Sequence, residues 1–239
     1  MCNAIAGLPI ESFQSAIQPN EAQRAALDEL ASASEKAAAS LKASCPTDVA
    51  LTAPRRLEVM QQRIEAMIAA VQMVQPPLGK FYDLLSDEQK AQLNGLATTR
   101  PRPARLAERA GSAGQACDVA QPGLTDWPVA TIEQSVRPTD QQHRYLDALQ
   151  SAAARAADML KASCQTQAED ARTPPARLAT VGKRLDTMLQ AVKLTRSALD
   201  NFYATLNDEQ KAQFEAIGPR RTAQSDQADT RRQPRRYRY

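Results

Sequence analysis

The chain of 239 residues is built from two copies of one sequence unit. Residues 19–45 match residues 138–164 at an offset of 119, and both stretches end on Leu-Lys-Ala-Ser-Cys. After a small change in length the match resumes at an offset of 121, where residues 81–92 align with residues 202–213. Self-similarity of this kind is the signature of a repeated structural unit. The chain therefore has two domains that share one fold.

Each copy carries the signals of two long helices. The first helix begins after Asn20 or Thr139, each followed three positions later by Gln, which is the spacing of a capping box. It can run to the shared cysteine, with an apolar stripe of leucines and small residues in its middle. The second helix begins at Thr52 or Thr173, and proline follows in the first turn, where proline is tolerated.

The second long helix carries the clearest pattern in the sequence. Apolar residues recur every seven positions from Leu57, with a second set three positions later, and copy two repeats this heptad stripe from Leu178. Such a stripe indicates coiled-coil-like packing, for which the preceding helix is the expected partner in an antiparallel hairpin. Pro76 and Pro77, expected on the outer side of the stripe, predict a kink in copy one and a straighter helix in copy two.

A capped corner ends this helix in both copies. Residues 85–89 read Leu-Ser-Asp-Glu-Gln and residues 206–210 read Leu-Asn-Asp-Glu-Gln. Each places an N-cap residue three positions before Gln, with two acidic residues in the first turn, where the helix dipole favours negative charge. A short helix therefore follows, and it is expected to end near Leu96 in copy one and Ile217 in copy two.

This corner motif, repeated after a long amphipathic helix in each half of the chain, resembles that of the LTxxQ-motif family, the Spy/CpxP group of periplasmic stress chaperones. The resemblance covers roughly residues 8–96 and 127–217. Its motif and capping positions are Leu85, Ser86, Gln89, Leu206, Asn207 and Gln210. The resemblance implies an all-α fold of two tandem Spy-like helical hairpin repeats. Each repeat has a short helix, two long antiparallel helices and a short C-terminal helix.

The same resemblance implies an ATP-independent chaperone that binds unfolded or partly folded clients on a curved helical surface. Relatives are often antiparallel dimers, so the chain is expected to form an intramolecular pseudo-dimer or a homodimer. Candidate client-binding residues are Arg55, Arg56, Arg63, Met67, Arg177, Arg184 and Met188. Methionine is adaptable enough to suit varied clients. Ordinary packing in the heptad stripe is the alternative for the methionines, and a solvated helix flank is the alternative for the arginines.

The sequence leaves other functions open. An envelope-stress or metal-responsive sensor that binds a sensor kinase is possible within the family, although a single histidine, His143, leaves few metal ligands. A structural or anionic-polymer-binding protein would use an Arg-rich C-terminal tail. An enzyme has the least support, because the sequence has no Gly-rich phosphate loop and no nucleophile elbow. We expect no catalytic residue, no metal site and no cofactor.

The excess of positive over negative charge is confined to two stretches. Of 30 basic and 27 acidic residues, residues 97–116 hold four arginines and one acid, and residues 218–239 hold seven arginines and two acids. The remainder therefore has 19 basic and 24 acidic residues, so it is mildly acidic. Both stretches are poor in apolar residues, which predicts a flexible linker and a disordered tail. The predicted divisions are a first repeat, a linker, a second repeat and a tail, at residues 1–96, 97–116, 117–217 and 218–239.

Four cysteines allow three pairings, of which the repeat favours Cys2 with Cys45 and Cys117 with Cys164. Such bridges imply an oxidising compartment, whereas four reduced thiols would be typical of a cytosolic protein. The sequence shows neither a membrane-spanning apolar run nor a signal peptide. Because the chain starts inside the repeat, we expect a processed form of a longer exported precursor and a periplasmic location.

Overall fold

The structure, a computed structural model, describes residues 17–45, 50–99, 127–166 and 173–217. These residues form α-helices and no strand, which confirms the predicted all-α class. In chain order the helices are α1 (Glu21–Ala43), α2 (Ala53–Asp83), α3 (Asp87–Thr99), α4 (Val129–Val136), α5 (Asp140–Thr166), α6 (Pro174–Ala204) and α7 (Asp208–Ile217). The predicted tail, most of the predicted linker, Cys2 and Cys117 lie outside the described residues.

The long helices begin where the capping signals predicted. The Asn20 Oδ1 atom accepts a hydrogen bond from the Gln23 amide at 2.9 Å, and the Gln23 side chain accepts one from the Asn20 amide at 3.0 Å. Thr139 starts α5 with the same reciprocal pair of bonds. Thr52 and Thr173 cap α2 and α6 through their hydroxyls, with proline in the first turn. The caps satisfy backbone amides that have no partner within the helix.

Three of the predicted helix ends differ from the observed ones. Helix α1 ends at Ala43, two residues before the shared cysteine. Helix α3 continues to Thr99, three residues beyond the predicted end near Leu96, and α5 continues to Thr166, past the cysteine at which it was expected to stop. The short helix that opens the second repeat is present as α4, and Arg137 ends it in the left-handed conformation with φ of 49°. Gln18, its equivalent in the first repeat, has φ of 46°.

Each repeat forms the predicted antiparallel hairpin. The start of α1 meets the end of α2, where Gln23 contacts Leu84, and the start of α5 meets the end of α6 in the same way. The middle of the first helix in each hairpin is lined by small residues, among them the buried Ala37 and Ala156. Small side chains allow the helix backbones to approach closely.

The two repeats also pack against each other through their second long helices. Helix α2 lies antiparallel to α6, and α1 and α5 flank this pair, so the long helices lie in a row in the order α1, α2, α6, α5. The preceding helix is therefore only one partner of the heptad stripe. Ile64 and Met67, in the first half of the stripe, pack in a hydrophobic cluster shared with the second repeat. Leu78 and Phe81, in its second half, pack in a hydrophobic cluster within the first repeat.

The two prolines of α2 do not interrupt the helix, which is continuous from Ala53 to Asp83. Pro76 is exposed but Pro77 is buried, so the prediction that both lie on the outer side is wrong for Pro77. Pro77 follows the buried Ala70 by seven residues, which places both on the same inward face. The kink at this position stays a prediction.

Candidate functional site

The capped corner of the first repeat is built around two glutamines, Gln23 and Gln89. The Gln89 side chain closes its own capping box by accepting a hydrogen bond from the Ser86 amide at 2.9 Å. The Gln23 Nε2 group donates to Gln89 Oε1 at 2.9 Å and to the Leu84 carbonyl at 2.8 Å. The Gln89 Nε2 group donates to the Ile17 carbonyl at 3.0 Å and back to Gln23 Oε1 at 3.2 Å. We call this arrangement the corner glutamine pair.

The second repeat has the same pair, formed by Gln142 and Gln210. Their side chains are 3.0 Å apart in both donor–acceptor directions. Gln142 also donates to the Thr205 carbonyl at 2.7 Å, and Gln210 donates to the Val136 carbonyl at 3.3 Å. Asn207 caps α7 by accepting a hydrogen bond from the Gln210 amide at 2.8 Å, so the replacement of the hydroxyl residue preserves the corner.

The corner glutamine pair fixes three chain segments relative to one another. In the first repeat it joins the start of α1, the corner between α2 and α3, and Ile17, which precedes α1. Gln23 is 4% exposed, and a buried amide is tolerated only when its polar atoms have partners. Both glutamines are neutral, so the pair offers neither a general base nor a metal ligand of the usual kind. Its role is to position the corner.

The sequence predicted each capping box but not the bond between the two glutamines, which are 66 residues apart. The signal that could have revealed it is that both boxes use Gln, rather than Glu, at the third helical position. An amide has a donor left over after it has closed its box, whereas a carboxylate has none. The corner glutamine pair uses this second donor.

A separate contact joins the two repeats at one end of the α2–α6 helix pair. Glu215 of α7 accepts hydrogen bonds from the Ala53 amide at 2.6 Å and from Arg56 Nη2 at 2.9 Å. A carboxylate at the first turn of α2 is favoured by the helix dipole. Burial of Tyr203, together with the charge of Glu215 and its hydrogen bond to the phenol, raises the pKa of Tyr203.

The predicted client-binding residues are distributed along α2 and α6. Met67 and Met188 are half-buried and pack against the cluster shared by the two repeats. Arg63 and Arg184 are exposed, and each lies four residues before one of these methionines, on the same helix face. Because α2 and α6 are antiparallel, the two Arg–Met pairs occur once in each half of the helix pair.

The other three predicted arginines lie near the ends of α2 and α6. Arg55 pairs with Glu58 at 2.6 Å, and Arg56 pairs with Glu215. Arg177 lies in the first turn of α6, at the opposite end of the antiparallel pair, so the structure does not bring it together with Arg55 and Arg56. The hydrogen bond from Arg55, opposed by desolvation and supported by the charges of Arg55 and Arg196, lowers the pKa of Glu58.

Sequence reasoning missed several apolar side chains beside the Arg–Met pairs. Val181 is 46% exposed, and Met60, Ile68 and Leu189 are half-buried against the shared cluster. Met60 and Val181 belong to the heptad stripe, but the stripe alone does not show which of its members a neighbouring helix covers. Ile68 and Leu189 lie outside the stripe, one position after Met67 and Met188. The central part of α2 and α6 therefore combines partly accessible apolar side chains with two exposed arginines.

The family is decided by comparison with known proteins. The family model described as "LTXXQ motif family protein" matches the chain twice, at residues 5–97 and 124–218. The chain belongs to the LTXXQ motif family. The two matches confirm the tandem duplication of an LTXXQ unit, and each matched region contains one of the two capped corners. No curated protein and no solved structure matches the chain.

Further properties of this LTXXQ protein concern its cysteines, metals and membranes. Cys45 is disulfide-bonded, and the predicted pairing with Cys2 lies outside the described residues. Within the described ranges no group of three or more His, Cys, Asp or Glu residues could hold a metal ion. The same ranges contain no helix with the length and hydropathy needed to cross a membrane.

Proposed function

We propose that this LTXXQ protein is an ATP-independent periplasmic chaperone that binds unfolded or partly folded clients without catalysis. Membership of the LTXXQ family supports a role of this kind. The observation that carries the proposal is the duplicated Arg–Met pair on the antiparallel helices α2 and α6. Each repeat supplies half of this surface, so the working unit is an intramolecular pseudo-dimer.

The chemistry of the surface suits varied, extended clients. Met67 and Met188 are unbranched and polarisable, so they can adapt to different apolar side chains. Arg63 and Arg184 add positive charge that attracts acidic segments over a longer range than apolar contact does. The helices α1 and α5 pack on the outer flanks of the α2–α6 pair, so within the described residues no other long helix lies between these flanks.

The test is suppression of the aggregation of an unrelated unfolding protein, without ATP, at a near-stoichiometric ratio. The double variant Met67→Gln/Met188→Gln is expected to suppress aggregation several-fold less well than the unchanged protein. Met73→Gln is the matched control, because Met73 is 39% exposed on α2 but lies outside the shared cluster. Absence of suppression across several clients, or an equal loss in the Met73 variant, would contradict the proposal.

A deletion separates this function from binding through the Arg-rich tail. Removing residues 218–239 is expected to leave suppression of aggregation unchanged, because the proposed surface lies on α2 and α6. Binding to anionic polymers that disappears with the tail, combined with suppression that disappears too, would favour an anionic-polymer-binding protein instead.

A further inference from the structure

We call the contact between α2 and α6 the inter-repeat seam. One half of this seam contains ionic contacts. Arg196 of α6 donates a hydrogen bond to the Gln61 side chain at 2.9 Å, and its guanidinium lies 3.5 Å from Glu58. Lys193 lies 3.4 Å from Glu65, to which Gln61 also donates at 3.0 Å. The side chains of Arg196 and Glu58 are only 28% and 30% exposed. These five side chains form a continuous network between the repeats.

The sequence does not repeat the residues of this network in the other half of the seam. Under the offset of 121 that relates the repeats, the two cations Lys193 and Arg196 correspond to the neutral Gln72 and Gln75. Opposite them, the places of the acidic face of α2 are taken by Ala179, Gly182 and Asp186. Gly182 lies so close to α2 that a Cβ built there would be 3.3 Å from Val71 Cγ1.

The two ends of the seam also carry different residues. At one end Glu215 accepts from the Ala53 amide and pairs with Arg56. At the other end the equivalent of Glu215 is the neutral Asn94, and the equivalent of Ala53 is Pro174, which has no amide hydrogen to donate. The Asn94 Oδ1 atom is buried without a hydrogen-bond partner in the described part of the chain.

We propose that these charges make the inter-repeat seam heterospecific: the α2 face of the first repeat accepts the second repeat and discriminates against another first repeat. In a pairing of two first repeats in the same register, Glu58 and Glu65 would face only glutamines. In a pairing of two second repeats, Arg196 would face Ala179 and Gly182, whereas Lys193 would still face a carboxylate, that of Asp186. Specificity arises here because wrong partners lack the attractive contacts across the seam, while Glu58 and Arg196 keep only Arg55 and Asp200 of their own helices.

The seam therefore favours pairing of the two repeats within one chain. Across the seam, Glu58 and Glu65 of α2 meet cations of α6, although Glu58 also pairs with Arg55 within α2. A linker keeps the two repeats at a high effective concentration. The protein is therefore expected to be a monomer in which each repeat occupies the other's partner surface. This inference rests on the seam alone and does not require the proposed chaperone activity.

The test exchanges the charges across the seam in the full chain. Glu58→Lys/Glu65→Lys and Lys193→Glu/Arg196→Glu are each expected to lower the thermal midpoint by about 2–4 °C or more, as expected for the loss of partly exposed pairs in a protein of this size. The quadruple variant carrying all four changes is expected to recover most of this loss. Asp28→Lys/Glu35→Lys is the matched control, because both residues are exposed on α1, outside the seam.

Mass and cross-linking measurements test the discrimination itself. The unchanged protein and the quadruple variant are expected to have the mass of one chain in solution. When the two half-exchanged variants are unfolded together and refolded, they are expected to form a mixed dimer more readily than either variant forms a dimer with itself. The proposal is overturned if the quadruple variant melts no higher than the half-exchanged ones, or if cross-links join first repeats of different chains in the unchanged protein.

Discussion

At the residue scale, the glutamine of the LTXXQ motif acts through its two amide functions. Its oxygen closes a capping box, and its nitrogen reaches a second glutamine and a backbone carbonyl across the corner. Glutamate would retain the first function and lose the second, because a carboxylate has no donor. The identity of this residue is therefore explained by a tertiary contact, although the sequence shows it only as a cap.

Replacement of Gln89 by Ala is expected to lower the free energy of unfolding by about 2–3 kcal/mol, because it leaves buried polar groups without partners. Gln210→Ala is expected to have a similar effect in the second repeat. Chemical denaturation measures both values. Gln92→Ala, at an exposed position of the same helix α3, is the control and is expected to change stability by less than about 0.5 kcal/mol. Equal effects at positions 89 and 92 would contradict the role of the pair.

The raised pKa of Tyr203 predicts that the protein loses stability at alkaline pH. Its pKa is raised in the folded protein by burial and by Glu215, so the folded state retains a proton that the unfolded state has already lost. Stability is fully present below pH 10.0, the ordinary pKa of tyrosine, and falls as pH rises through the higher folded value. Tyr203→Phe is expected to reduce this alkaline loss in thermal melts between neutral and high pH. An unchanged alkaline slope in that variant would contradict the assignment.

At the element scale, two helical glycines distinguish an open helix face from the inter-repeat seam. Gly79→Ala is expected to raise the free energy of unfolding by about 0.5–1 kcal/mol, since glycine weakens a helix interior and a Cβ there has nothing within 4 Å. Gly182→Ala is expected to gain less, because its Cβ would press on Val71 at 3.3 Å. Denaturation curves of both variants give the comparison, and an equal or greater gain at Gly182 would mean that the seam is loosely packed.

The elements themselves were largely predictable from the sequence. Asn20, Thr52 and Thr173 give the helix starts because a cap depends on residues three positions away. The ends were less predictable: α3 passes Leu96 and reaches Thr99, since nothing in the sequence there forces a stop. Pro77 was misplaced, because an expectation for the dipeptide as a whole ignored the rotation of about 100° between consecutive helical residues.

At the scale of the whole molecule, the disulfide bond of Cys45 is expected to add stability by restricting the unfolded chain. Reduction, or Cys45→Ser, is expected to lower the free energy of unfolding by about 2–4 kcal/mol. Peptide mapping of the non-reduced protein measures the connectivity, and we expect Cys45 to be joined to Cys2. A peptide that joins Cys45 to Cys164 would contradict this pairing, and an unchanged stability after reduction would contradict the stabilising role.

The sequence by itself determined the duplication, the helices, the capped corners and the family, because each depends on residues close together in the chain or on the letters of a motif. The tertiary structure decided that α2 packs on α6. Glu58, Gln61 and Glu65 have the spacing of a solvated flank, and only their distances to Lys193 and Arg196 show that they face the other repeat. Local periodicity records which face of a helix is apolar, whereas the choice between two partners depends on contacts between residues more than a hundred positions apart.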